Sequence, residues 1–206
     1  MEFEQLAQAA AHAIASRACT IRRARADDAA TLADFGARTF VDTYGDFHAD
    51  DLALHLARTY GEPQQAREIA DAGVATLLAH GGGALAAFAQ VRRGAAPACV
   101  AGRDPIELHR LYVARAWHGR GVAQRLIAAA CDAALAFGGA TLWLKVWQRN
   151  ARAIAFYRKT GFADVGEAAF VVGNDATTDR VLVLELDRAP RGEGFSSLLR
   201  NGNDHA

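Results

Sequence analysis

Apolar residues recur at two spacings along this chain, and the change from one to the other organises it. Residues 4–17 are alanine-rich and favour a helix, but their apolar face is thin, so residues 1–18 read as an N-terminal extension. Cys19-Thr-Ile-Arg-Arg-Ala alternates and predicts a first strand. Asp27 then caps a helix running to about Thr39, with Ala30, Leu32, Phe35 and Phe40 as its apolar positions. A second helix starts near Asp50, carries Leu52, Leu54, Leu56 and Tyr60, and ends at Gly61 and Pro63. Gln64 to Ala72 form a further short helix.

From Val74 the spacing shortens. Val74 to Ala79 and Ala84 to Arg93 predict two strands around the loop His80-Gly-Gly-Gly. Ile106 to Val113 is a third, after a loop rich in glycine and proline. Gly121 to Phe137 returns to helical spacing, with Val122, Leu126, Ile127, Ala130 and Leu135, and Gly138-Gly139 stop it. Thr141 to Trp147 is an apolar run of the kind buried at the centre of a sheet. Asn150 to Thr160 is a helix closed by Gly161, and Ala163 to Val172 and Arg180 to Leu186 are two last strands around a polar loop at Gly173-Asn-Asp. The order is β-α-α-α-β-β-β-α-β-α-β-β. With no internal repeat and no linker, it predicts one mixed α/β domain over 19–187. Residues 188–206 turn to Pro, Gly, Ser, Asn and charge, and read as a flexible tail.

Composition narrows the picture. A chain that is 51% hydrophobic and 22% charged can bury a core. Its 23 basic and 23 acidic residues cancel, which removes a general electrostatic drive toward nucleic acid or anionic membrane. Cys19, Cys99 and Cys131 form no CxxC pair, so neither a disulfide framework nor a zinc site is expected. No apolar run is long enough for a membrane span and no signal peptide is evident, so the expectation is a soluble cytoplasmic protein.

Two segments carry candidate chemistry. In Val113-Ala-Arg-Ala-Trp-His-Gly-Arg-Gly-Val-Ala-Gln-Arg-Leu-Ile127 a strand ends, a loop holds Gly119 and Gly121, and a long helix begins. Glycines there let the backbone approach a ligand and expose its N–H groups, and the helix N-terminus adds partial positive charge, which suits a pyrophosphate. Arg120 and Arg125 add charge. The alternative is a tight turn that binds nothing. In Trp147-Gln-Arg-Asn-Ala-Arg-Ala-Ile-Ala-Phe-Tyr-Arg-Lys-Thr-Gly-Phe162, Asn150 stands where a strand gives way to a helix, and Ile154, Phe156 and Tyr157 fall on or near one face. By itself that reads as core packing with a capping asparagine.

Together the segments resemble the acetyl-CoA-dependent N-acetyltransferases of the GNAT superfamily. The family's Arg/Gln-x-x-Gly-x-Gly/Ala loop falls on His118-Gly-Arg-Gly-Val-Ala123, with His118 where the family usually has Arg or Gln. Its Asn-x-x-Ala-x-x-Phe-Tyr-x-x-x-Gly-Phe falls on Asn150, Ala153, Phe156, Tyr157, Gly161 and Phe162. Leu142 to Phe162, Phe170-Val-Val-Gly-Asn-Asp, Thr178-Asp179 and Phe40-Val-Asp-Thr-Tyr44 are similar to the PaiA-type spermidine/spermine N-acetyltransferases.

The resemblance implies an α/β fold with a mixed, mostly antiparallel sheet, splayed at two central parallel strands and flanked by helices. It implies acetyl-CoA lying in the splay between Ile106–Val113 and Thr141–Trp147. Backbone groups of Leu111 and Val113 would hold the pantetheine and thioester, and amides from Gly119 through Arg120, Gly121, Val122 and Ala123 the pyrophosphate. His118, Tyr112, Asn150 and Phe156 complete the implied cofactor set. Tyr157 is the implied acid for the leaving thiolate, protonated at neutral pH because a phenol titrates near 10. For the base, Glu107 matches the catalytic glutamate of a histone-acetylating branch, and His109 has a pKa suited to proton relay. Strand alternation places both on one face with Leu111 and Val113. Asp42, Tyr44, Asp46, His48, Asp50 and Asp51 form an acidic segment that would attract a cationic amine. Asp50 and Asp51 read better as helix N-terminal acids, leaving Asp42 and Tyr44 as the substrate candidates. The implied partner is a small-molecule amine, with no nucleic acid or membrane and with a homodimer as the candidate assembly. Two alternatives stand beside this: transfer to a protein N-terminus, a lysine or an antibiotic amine, or an acyl-CoA-binding domain with little turnover. A dinucleotide-binding fold is set aside because its glycines should follow the first strand.

Overall fold

The strand runs of the sequence assemble into one seven-stranded sheet of order β1-β2-β3-β4-β5-β7-β6. The computed structural model describes residues 19–44, 47–172 and 175–186. The N-terminal extension, Asp46, residues 173 and 174 of the expected polar loop, and the C-terminal tail lie outside the described residues. The strands are β1 (Thr20–Arg23), β2 (Val74–Gly81), β3 (Ala84–Arg92), β4 (Pro105–Val113), β5 (Thr141–Trp147), β6 (Ala163–Val172) and β7 (Asp175–Glu185). The helices are α1 (Ala29–Tyr44), α2 (Ala49–Thr59), α3 (Glu62–Ala70), α4 (Val122–Ala136) and α5 (Ala151–Lys159). Every neighbouring pair is antiparallel except β4 and β5, which run parallel.

The sheet has an apolar face on each side. On one, Leu126, Ile127, Ala130 and Ala134 of α4 pack on Ala87, Ala89, Val91, Leu142 and Leu144. So much alanine lets the helix lie close to the strands, and a Cβ at Gly139 would collide with Ile106. On the other, Leu32 and Phe35 of α1 meet Leu78 and Phe88, while Phe40, Tyr60 and Val172 form a second cluster beneath α2.

Four expectations need correction. Ala26–Asp28 is a 3-10 turn rather than the start of the first helix, with the Asp28 carboxylate accepting from the Arg25 amide at 2.7 Å and pairing with Arg22 at 2.6 Å. Helix α1 runs past Thr39 to Tyr44, since nothing before Gly45 breaks it. Strand β7 begins at Asp175, not Arg180, because pairing with β6 extends through Thr178, Thr177 and Ala176. The fourth concerns β4. Gln90 pairs with Arg110 and Val91 with Leu108, so His109 is an extra residue, a β-bulge. The bulge reverses the alternation. Ile106 and Leu108 before it share the α4-side core with Leu111 and Val113 after it, whereas Arg110 and Tyr112 turn to the side of α1–α3. Glu107 is therefore not on one face with Leu111 and Val113.

Candidate active site

The parallel pair holds only from Pro105–Glu107 against Thr141–Trp143. Beyond it β4 and β5 diverge, because β4 follows β3 across the bulge while β5 follows β7 through to Trp147. The inner edges of Leu111–Val113 and Val146–Trp147 thus face a gap instead of each other. A cleft of about 700 Å³ opens there, walled by β4, the Arg115–Gln124 segment, Trp147, α5 and the end of α1.

The loop from β4 to α4 is shaped by two residues with left-handed backbone, Gly119 (φ 75°) and Gly121 (φ 77°), the latter the N-cap of α4. A Cβ added at either would meet no atom within 4 Å, so each glycine has open space beside it. No side chain caps α4, and its first backward bond runs from the Arg125 amide to the Gly121 carbonyl at 3.2 Å. The amides of Val122, Ala123 and Gln124 consequently have no helical acceptor, and all three residues line the cleft. An open cradle of unbonded amides at a helix N-terminus fits a pyrophosphate. His118 closes the loop from below. Its Nε2 donates to the Val113 carbonyl at 2.9 Å, which gives the histidine at this position a structural task.

Helix α5 enters with Asn150 as its N-cap, Oδ1 accepting from the Ala153 amide at 3.0 Å. That cap turns Phe156 and Tyr157 into the cleft wall. The Tyr157 ring is gripped edge-on by Phe156 and Phe162, at 5.4 and 5.5 Å between centroids. Burial, with Tyr112 nearby, pushes its phenol well above the ordinary 10.0, so it holds its proton throughout the physiological range.

Similarity to known proteins identifies the family to which a chain with this cleft belongs. The family model described as acetyltransferase (GNAT) family matches residues 40–162, from the end of α1 to the close of α5. The chain belongs to this family. An uncharacterised N-acetyltransferase of Mycobacterium tuberculosis is 33% identical over 160 residues, 77% of this chain and 98% of the relative. Another, from Lactobacillus delbrueckii subsp. lactis, is 30% identical over 145 residues, 70% of this chain and 84% of that one. Among solved structures, the PaiA N-acetyltransferase from Thermoplasma acidophilum in complex with coenzyme A superposes with a TM-score of 0.67 at 19% identity, covering 82% of this chain and 99% of its own. The sheet order, the single parallel pair and the splay are thus those of the GNAT fold.

Of the residues singled out in the sequence, the cleft brings together Leu111, Tyr112, Val113, His118, Gly119, Gly121, Val122, Ala123, Asn150, Phe156, Tyr157 and Asp42. Arg120 is not among its walls; the guanidinium lies over the Trp117 ring, 5.3 Å from the centroid. Glu107 and His109 are not in the cleft either. The Glu107 carboxylate accepts from Arg92 Nε at 2.6 Å and contacts His109 Nδ1 at 3.3 Å. Burial pushes the carboxyl up, but the hydrogen bonds and charges of His109 and Arg92 outweigh it and bring it to about 2. A carboxylate held so low is a weak base. Burial leads the causes that lower His109, so the ring is neutral near pH 7 and donates to Glu107 from Nδ1. His48 caps α2 by accepting from the Asp50 amide, and the exposed Asp50 and half-buried Asp51 stand in the helix's first turn.

The sequence reading assigned no role to two groups. Arg149 before the cap, and Arg152 and Lys159 on α5, join Arg115 around the cleft and give it a cationic rim; their clustering in the sequence was the available signal. The other is Asp179, 4% exposed on β7, whose Oδ1 has no hydrogen-bond partner. It stands in register with Trp147 across the β5–β7 ladder. Burial raises its carboxyl to about 6 against the pull of Lys145. An acid two residues before Val181 and four before Val183, in the phase of a buried strand face, was its sequence signal.

Proposed function

We propose that this GNAT domain uses acetyl-CoA to acetylate a primary amine on a small polyamine, by direct attack within a ternary complex. The observation that carries the reading is the splayed β4–β5 pair opening onto the uncapped α4 terminus on one side and Tyr157 on the other. Acetyl-CoA, when bound, supplies the thioester that is the acyl donor.

The chain's own groups divide the work. Unbonded amides of Val122–Gln124 and the glycine cradle take the pyrophosphate, and the Arg149, Arg152 and Lys159 side chains offer charge to the remaining phosphate. The free inner edge of Leu111–Val113 offers strand-like hydrogen bonds to an amide-bearing arm. Tyr157 holds a proton at its phenolic oxygen and releases it to the departing thiolate. The Phe156 and Phe162 rings fix that phenol in one place, which is most of what proximity needs. The amine's proton leaves to solvent, since neither Glu107 nor His109 reaches the cleft.

Support for a polyamine comes from the PaiA-like segments and from Asp42 at the cleft mouth. Thiol release from acetyl-CoA is measured against polyamines, amino acids, aminoglycosides and basic peptides. Spermidine is expected to be turned over, with a KM that rises with ionic strength as salt screens its attraction to the Asp42 carboxylate over about 10 Å at 0.1 M. Activity confined to peptides or aminoglycosides refutes the polyamine assignment.

A further inference from the structure

A charged group buried without an ion-paired partner is unfavourable, and such groups persist in folds where something else completes them. Asp179 is in that position. Its neighbours across the two ladders are Trp147 on β5 and Ala168 on β6, so a small side chain leaves space on one side and the indole forms a wall on the other. Directly opposed residues of an antiparallel pair lie about 5 Å apart at Cβ and project from one face, so the carboxylate is one side chain away from the cleft that Trp147 lines. Thr177 shares that face two residues earlier, and its buried Oγ1 also lacks a partner. Two unpaired oxygens on adjacent same-face positions of one strand form an acceptor pair.

The surroundings are aromatic. Tyr44 and Phe47 stand 5.4 and 5.5 Å from Trp147, ring centroid to centroid, and 6.0 Å from each other. The Asp179 charge adds to the rise of the Tyr44 and Tyr112 phenols, behind burial. Thr177 is paired with Phe170 on β6. Ring faces attract cations, and oxygens bind an ammonium's hydrogens. Water-filled polar sites have no need of three clustered rings, and an apolar ligand has no use for a carboxylate.

We infer that Asp179 and Thr177, walled by Tyr44, Phe47 and Trp147, form a subsite for an organic ammonium group, and that this subsite binds the acceptor amine of the transferase. The inference rests on the proposed amine acetylation for the ligand's role, but the subsite itself is defined by the geometry. The competing assignment gives Asp179 to Lys145 as an internal counter-ion. Lys145 projects from the same face, but its ammonium lies over the Phe170 ring at 5.7 Å, and no ion pair with Asp179 forms among the described residues.

Calorimetric titration of 1,4-diaminobutane separates these. It is done in saturating coenzyme A, which has no acetyl group to transfer, with 1,4-butanediol as the uncharged comparison. Wild type is expected to bind the diamine and not the diol. Asp179→Asn should weaken diamine binding at least ~10-fold and Thr177→Val ~3-fold, as lost hydrogen bonds to a charged group do. Lys145→Met should bind as tightly as wild type or tighter. Circular dichroism of each variant secures the fold. Wild-type affinity in Asp179→Asn, or an equal loss in Lys145→Met, overturns the subsite, as does a wild type that ignores the diamine while releasing thiol with other amines. Diamine binding with no thiol release for any amine leaves the subsite standing and refutes acetyl transfer instead.

Discussion

Replacing Asp179 with asparagine is expected to stabilise this protein, and only above about pH 5. The side chain keeps its shape and loses its charge. In a free chain the carboxyl titrates at 3.8, whereas in the fold burial raises it to about 6. The folded state therefore holds the proton more tightly than the unfolded one. A carboxyl raised in this way contributes its full stability below 3.8 and loses that contribution as pH climbs through about 6. At about 1.4 kcal/mol for each tenfold change in proton affinity, ionised Asp179 lowers stability by up to about 3 kcal/mol at neutral pH. The groups facing it are Lys145 on β5, which opposes the rise, and the Tyr44 and Tyr112 phenols, which stay neutral. For a domain of this size about 3 kcal/mol corresponds to a melting shift of about 6–12 °C. Thermal or urea unfolding of both proteins between about pH 4 and pH 8 gives the answer. The variant should match wild type at the acid end and exceed it by a widening margin toward neutrality. A margin that is constant with pH, or a variant less stable at about pH 8, would refute the reasoning.

Three other substitutions probe separate links. Gly121→Asp places an anion at the N-cap of α4, in a left-handed conformation that aspartate tolerates better than most residues, and acetyl-CoA affinity by calorimetry should fall at least ~10-fold in a folded protein. Arg110→Met strips the counter-charge from Glu68, which Arg110 Nη1 contacts at 2.5 Å beneath the Tyr60–Tyr112 pair; denaturation should show a loss of about 3–5 kcal/mol, largely restored by adding Glu68→Leu. Glu107→Gln should destabilise the protein through its Arg92 partner while thiol release stays within ~3-fold of wild type with an unchanged pH profile, because the carboxylate is turned from the cleft.

The sequence was most legible where a residue's local chemistry and its tertiary surroundings agree. Thr141–Trp147 and Ala163–Val172 have in the structure the bounds that apolar runs and the flanking Gly139 and Gly161 imply. Gly119 and Gly121 were legible as a loop before a helix, because a left-handed turn there needs glycine, whereas the resemblance alone marked Tyr157. The β-bulge at His109 was not legible. No glycine or proline marks it, and it arises from the register that β3 imposes on β4. Missing it put Glu107 on one face with Leu111 and Val113, whereas its carboxylate pairs with Arg92 and His109. Asp179, quoted only as part of a similar segment, got no role because of the opposite error. Thr177, Thr178 and Asp179 are polar and look like loop, but the ladder with β6 holds them as strand, so their side chains alternate into a buried face that no period could show without Val181 and Val183 being read in the same phase.

The central claim is acetyl transfer with Tyr157 as the proton donor, and one paired measurement tests it directly. Wild type and Tyr157→Phe are compared for thiol release and, by mass spectrometry, for acetylated amine, with acetyl-CoA binding measured on the same samples. The account predicts acetylated product from wild type, turnover lower by ~10²-fold or more in the variant, and cofactor affinity nearly unchanged, since the ring still packs between Phe156 and Phe162. Wild-type turnover in Tyr157→Phe would make the phenol a packing residue and contradict the account.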